Sequence, residues 1–175
     1  MKERTEVALV GIGGQGVILI GKILGEAAII EGKNSVQTTE YTDAARGGFS
    51  KSEVVISENE IAYPEVLEPD VVLALSKEAY DMYKDKDCLL IFDSNIIVPD
   101  RPSDKTKGYA ITDATEKLKN TKVLNMVSLG IIMSCTNIVS YESTVEALRR
   151  NVPSKFLELN LTAFKEGYDM GENSK

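Results

Sequence analysis

The chain has 175 residues, 43% of them apolar and 27% charged, which suits one core-forming unit of ordinary globular composition. Its net charge is −7 with Lys and Arg scattered among acids, which argues against a nucleic-acid partner. No apolar run approaches the ~20 residues that cross a bilayer and no apolar leader core precedes the first strand, so the sequence predicts a cytoplasmic protein with no membrane partner.

In chain order, Val7–Val10 is a short apolar run, the pattern of a strand buried on both faces of a parallel sheet. The loop Gly11-Ile12-Gly13-Gly14-Gln15-Gly16 follows. Val17, Ile20, Leu24, Ala27 and Ala28 then recur at helical spacing, and the helix is expected to end near Glu31-Gly32. Asn34–Thr39 reads as a strand, residues 41–50 as a loop, and Lys51–Ser57 as a strand with Val54 and Ile56 on one face. A further extended piece is expected at Ile61–Tyr63, with Pro64 and Pro69 bracketing a connector.

Val71–Leu75 and Cys88–Phe92 are two more buried strands. Ser76 is positioned to cap a helix over Lys77–Lys84. Ile96–Val98 reads as a short strand extension, Pro99–Lys107 as a loop, Gly108–Thr112 as a strand and Asp113–Leu118 as a helix. Met126–Ile138 is apolar almost all round, which predicts a helix buried between the sheet and a second surface, for which another subunit is a candidate. Ser143 or Ser140 caps the next helix, which runs to about Asn151. Ser154 is expected to cap the last helix, whose stripe is Leu157, Leu161, Phe164 and Tyr168, and residues 171–175 to fray. Strands alternating with helices define an α/β fold. It is Rossmann-like, a mostly parallel sheet with helices on both faces and some antiparallel strand content around 49–63.

Two patterns carry chemistry. Gly11, Gly13 and Gly16 satisfy GxGxxG between a strand and a helix, a turn that offers N–H groups to a phosphate. The same turn also serves as a purely structural strand-to-helix junction. Glu40, the acid nearest the position of a ribose partner, lies 24 residues past Gly16. Arg46-Gly47-Gly48 places a guanidinium fork beside glycines, either an anion clamp or a hinge with a solvated arginine. Asp43, Asp93 and Asp113 fall at polar strand ends or loops, as helix caps or ligands. Cys88 and Cys135 sit singly in apolar runs, too few for an iron–sulfur cluster. With no histidine, His-based triads, a His base and His-ligated zinc are excluded within this chain.

The loop Gly11–Gly16 with Gln15, the run Thr38–Tyr41 and the stretch Ala45-Arg46-Gly47-Gly48-Phe49-Ser50-Lys51-Ser52-Glu53 together resemble the gamma subunit of the 2-oxoacid:ferredoxin oxidoreductases. Pro69–Ser76, Asn125–Gly130 and Pro153–Asn160 with Ala163, Phe164 and Gly167 extend the resemblance over nearly the whole chain. The branch it is most similar to is the 2-oxoglutarate enzymes, with pyruvate and ketoisovalerate relatives behind. The resemblance implies one Rossmann-like domain over 1–175 that works inside a multi-subunit oxidoreductase and is inactive alone. It implies alpha, beta and ferredoxin-like partner subunits, with ferredoxin as electron acceptor. Thiamine diphosphate, Mg and iron–sulfur clusters would lie on those partners, no cofactor would bind tightly here, and this chain would form the coenzyme A side. By position, Gly11, Gly13, Gly14, Gln15 and Gly16 would be the phosphate-facing turn, and Thr42, Arg46, Gly47 and Gly48 the loop facing the assembled site. One departure is Thr42, where relatives often carry glycine, so a left-handed backbone is disfavoured there. Two other classes stay open at this point: a stand-alone NAD-dependent dehydrogenase resting on GxGxxG and Glu40, and a non-catalytic nucleotide-binding or assembly module.

Overall fold

The apolar run of the first strand extends further than its buried centre: β1 spans Arg4–Ile12 and takes in Gly11. The computed structural model describes residues 3–41, 48–100 and 103–174. β1 lies inside a six-stranded sheet with β2 (Asn34–Tyr41), β3 (Phe49–Ser57), β4 (Val71–Ala74), β5 (Leu89–Asp93) and β6 (Thr106–Tyr109), in the order β2-β3-β1-β4-β5-β6. β4, β5 and β6 run parallel to β1. β3 is antiparallel to both its neighbours, pairing Ile12 with Phe49 and Tyr41 with Ser50. The expected α/β class and the antiparallel intrusion are therefore both present, the latter confined to residues 49–57.

Period-two alternation divides the sheet into two cores. Leu9, Val54, Leu73 and Ile91 face the larger one, against α1 (Val17–Ile30), α3 (Ile111–Lys117), α4 (Leu124–Thr136), α5 (Tyr141–Asn151) and α6 (Ser154–Glu172). Ala8, Val10, Val72, Ala74, Leu90 and Phe92 face the smaller one, closed by α2 (Lys77–Tyr83) and Ile97. Helices thus cover both faces, unequally. Among the described residues no helix is long and apolar enough to cross a membrane.

The apolar helix α4 is enclosed by this chain itself. α6 packs along it so closely that a Cβ on Gly167 would strike the Val127 carbonyl, and one on Gly130 the Phe164 carbonyl. The second surface expected from sequence is α6, which needs no other subunit. Ser76 caps α2 by accepting from Ala79 N–H at 3.2 Å, and Ser140 caps α5 by accepting from Ser143 N–H at 3.1 Å. Ser143 therefore lies inside its helix.

Several local expectations are displaced. Pro153 occupies the cap position of α6, so Ser154 becomes its first residue and caps nothing. Ile61–Tyr63 is not strand; the Arg4 guanidinium binds the Tyr63 and Glu65 carbonyls and fastens that connector to β1. Ile96–Val98 is not strand either, because Asp93 turns the chain: its carbonyl accepts from Ile96 and Ile97 N–H. β6 and α3 each begin two residues earlier than the residue pattern suggests. The tail is docked through residue 174: the Tyr109 hydroxyl meets Ser174 Oγ at 2.7 Å and Cys135 Sγ at 3.1 Å. Burial, and next the hydrogen bond with Cys135, push the Tyr109 phenol up to about 12.

Two outcomes follow from this packing. Gly167→Ala lowers the unfolding free energy by about 2–3 kcal/mol or more, because rigid backbone opposes the new methyl; urea denaturation measures it. Glu31 joins the end of α1 to the start of α5, accepting from Ser140 N–H at 2.6 Å and from Lys33 Nζ at 2.9 Å. Burial opposes its charge, but these donors outweigh it and hold the carboxyl below its ordinary 4.5. Stability from Glu31 is therefore present above that ordinary value and lost as pH falls through the lower folded value. In pH-dependent denaturation, the gap between the native chain and Glu31→Gln is full above 4.5 and closes in that acid range.

Candidate functional site at the carboxyl edge

In an open α/β sheet, ligands meet the carboxyl ends of the parallel strands. Here β1 runs into the glycine turn, whose backbone is fixed by its own side chain. Gln15 Oε1 accepts from Ile12 N–H at 2.8 Å, and Gln15 Nε2 donates to the Leu75 carbonyl at the end of β4 at 3.1 Å. Gly11 makes room for this staple, since a Cβ there would collide with Gln15 Oε1. Gly14 and Gly16 take left-handed backbone, with φ of 94° and 73°. The turn then opens into α1 with no side-chain cap. Among the described residues, the N–H groups of Gly14, Gly16, Val17 and Ile18 have no acceptor.

Gly13 N–H donates to the Gly48 carbonyl at 2.8 Å. The two loops singled out in the sequence therefore touch. Thr42, Arg46 and Gly47 lie outside the described residues, as does Asp43. Glu40 ends on β2, and β3 stands between β2 and β1. At roughly 4.8 Å per strand spacing, this sets Glu40 two strands from the glycine turn, where a ribose-binding acid would stand on the adjacent strand. Asp93 is a cap: its buried carboxylate accepts from Ile111 and Thr112 N–H, each at 3.2 Å. Asp113 sits exposed in the first turn of α3.

A cavity of about 750 Å³ lies against the first turn of α1. The first turn of α1 contributes Leu19, the start of α4 contributes Val123 and Asn125, and the start of α6 contributes Pro153 and Phe156. None of these three helices has a side-chain cap, whereas α2 and α5 both do. The starts of α1 and α6 turn the positive ends of their helix dipoles to this region, and α4 continues there from a 3₁₀ turn that Asn120 caps. Asn125 is 7% exposed, and its Oδ1 is buried without a hydrogen-bond partner. A Cβ on Gly16 would strike the Asn125 amide, so the two residues are in direct apposition.

Burying an unpaired amide oxygen costs about 1–3 kcal/mol, so Asn125, a residue of the cavity wall, gains if its amide turns to meet a ligand donor. Sequence reasoning placed Asn125 in a stretch of family resemblance without giving it a role; its one signal was a polar residue opening an otherwise apolar helix. Among the described residues no group of His, Cys, Asp or Glu could hold a metal ion.

An open, mostly parallel sheet with helices on both faces, its first strand running into a glycine turn, is the architecture of an α/β ligand-domain fold. The pyruvate ferredoxin/flavodoxin oxidoreductase model matches residues 6–170, and the chain belongs to that family. It is 43% identical to 2-oxoglutarate synthase subunit KorC of Methanocaldococcus jannaschii, over 98% of this chain and 96% of that one. The crystal structure of a keto/oxoacid ferredoxin oxidoreductase gamma subunit from Geobacter sulfurreducens superposes with a TM-score of 0.82 at 37% identity, covering 95% of this chain and 98% of the other. The 2-oxoglutarate:ferredoxin oxidoreductase of Magnetococcus marinus, solved with 2-oxoglutarate, coenzyme A and succinyl-CoA bound, shares the fold with a TM-score of 0.88 at 22% identity; 99% of this chain matches 32% of that one. The chain is thus a subunit of an oxidoreductase complex and has partner subunits.

The roles of the two amides separate by stability. Gln15→Ala removes two hydrogen bonds and lowers unfolding free energy by about 1–2 kcal/mol. Asn125→Leu, nearly isosteric and free of the orphan oxygen, shifts it by less than about 1 kcal/mol in either direction. Urea denaturation of both variants measures the difference.

Proposed function

We propose that this chain, working as one unit over 1–175, is the gamma subunit of a 2-oxoglutarate:ferredoxin oxidoreductase and forms the side of its active site that receives coenzyme A. The observation that carries the reading is the orphan Asn125 Oδ1 set against Gly16, beside helices whose N-termini lack caps. Coenzyme A suits this arrangement chemically, being an anionic diphosphate joined to a nucleoside rich in N–H and O–H donors. The names of the KorC relatives support 2-oxoglutarate as the substrate, and the coenzyme A bound in the Magnetococcus complex supports the ligand.

In this reading, the N–H groups of Gly14, Gly16, Val17 and Ile18 hold the diphosphate, with Gly48 beside the turn and Thr42, Arg46 and Gly47 as the further contacts that the family resemblance assigns. Gly11, Gly13 and Gln15 hold the turn in shape. Asn125, its amide turning towards the cavity on binding, accepts a hydrogen bond from the nucleoside, and Phe156 and Leu159 supply apolar wall. Coenzyme A, when bound, supplies the thiol that takes up the acyl group. Thiamine diphosphate, Mg and iron–sulfur clusters belong to alpha, beta and ferredoxin-like partners, and ferredoxin takes the electrons. This chain's own residues bind and orient.

The test is purification with the native partners, followed by steady-state assay against several 2-oxoacids. Highest kcat/KM with 2-oxoglutarate is expected, and Asn125→Leu raises KM for coenzyme A about tenfold or more while leaving KM for the 2-oxoacid in place, since a lost hydrogen bond to a buried acceptor is worth about 1–3 kcal/mol. Full activity from the single chain, or an unchanged KM for coenzyme A, contradicts the reading.

A further inference from the structure

The cavity rim holds a feature that the diphosphate and nucleoside contacts do not use. The segment joining α3 to α4 carries Lys119 and Lys122, and both line the cavity with Asn125. No acid is ion-paired with either lysine among the described residues, and Glu116 is the one carboxylate in the cavity wall. In a chain of net charge −7 the titratable groups of this wall therefore carry a surplus of positive charge.

The backbone there is fixed. Lys119 has φ of 54°, a left-handed conformation that costs a residue with a side chain and costs glycine nothing. Its N–H bonds the Glu116 carbonyl at 2.8 Å, and Asn120 N–H bonds the Thr115 carbonyl at 3.2 Å, which closes the end of α3. Asn120 Oδ1 then accepts from Lys122 N–H at 3.0 Å and caps the following 3₁₀ turn, Thr121–Val123. Two lysines three residues apart, neither ion-paired among the described residues, thus rise from one fixed stretch of backbone. Glycine would close the helix at position 119 with less strain, so what lysine adds is its charge.

We propose that Lys119 and Lys122 form the subsite for the phosphomonoester on the ribose of coenzyme A, and so select coenzyme A over its dephospho form. This rests on the reading of the cavity as the coenzyme A site. A phosphomonoester carries close to two negative charges at neutral pH and accepts from both ammonium groups at once. Dephospho-coenzyme A retains the diphosphate and the nucleoside and lacks only the group these lysines would meet.

The experiment is isothermal titration calorimetry on the assembled complex, with coenzyme A and dephospho-coenzyme A as separate ligands. The native complex is expected to bind coenzyme A on the order of 10-fold more tightly, the scale of one charge-assisted hydrogen bond. In the Lys119→Ala/Lys122→Ala double variant the two dissociation constants converge, coenzyme A weakening to the level of the dephospho form. A preference that survives the double substitution overturns the proposal. Asn125→Leu separates the two failures. If it leaves both dissociation constants unchanged, the cavity is not the coenzyme A site and both readings fall. If it weakens both ligands while the preference stays in the double variant, only the lysine assignment falls. A charge-retaining Lys119→Arg/Lys122→Arg variant keeps the preference if charge carries it; loss of the preference there counts against it.

Discussion

The hydrogen bond from Gly13 N–H to the Gly48 carbonyl, 2.8 Å long, depends on one topological choice: β3 is inserted antiparallel between β1 and β2. An antiparallel strand beside β1 begins where β1 ends. Phe49 pairs with Ile12, and Gly48 arrives directly on the glycine turn. Two short glycine-rich segments, far apart in sequence, become one surface at the carboxyl edge. Gln15 holds that surface from the other side by reaching the end of β4. The turn is braced on both flanks, and its N–H groups at Gly14 and Gly16 have no acceptor among the described residues. In the proposed reading this is preorganisation: the dipoles are oriented before a ligand arrives.

The same insertion separates this fold from a dinucleotide-binding one. Its glycine spacing satisfies the fingerprint, yet the glycines do different work. Gly11 stays in the strand to admit the Gln15 carbonyl, Gly13 spends its N–H on Gly48, and Gly16 faces Asn125. Glu40 is carried one strand too far to meet a ribose beside β1. A stand-alone nicotinamide enzyme would need that acid, so the strand order itself argues against that class.

Much of this was legible from residues. The buried runs at 7–10, 71–75 and 88–92 had no polar alternation to mislead, and each became a strand. Ser76 was a visible cap because nothing competed with it, while Ser154 failed because proline before it already holds an extended backbone. The 96–98 run looked like a strand by composition, but Asp93 uses its carbonyl and carboxylate to fold the chain over, which no periodicity reports. The paired glycine loops made the family recognisable. The cavity was not legible, because three helix starts at residues 17, 124 and 154 meet only through tertiary packing. Asn125 was hidden for the same reason: its oxygen is conspicuous only once its surroundings are seen to offer no donor.

Hydrogen–deuterium exchange of the assembled complex with and without coenzyme A addresses the central claim, that ligand binding is carried by the glycine turn and the uncapped helix starts around Asn125. Backbone amides exposed there exchange readily until a bound anion accepts from them. Slowed exchange at 14–19 and 123–126 on addition of coenzyme A is the predicted result. Unchanged exchange in both segments, with protection elsewhere on the complex, would contradict it.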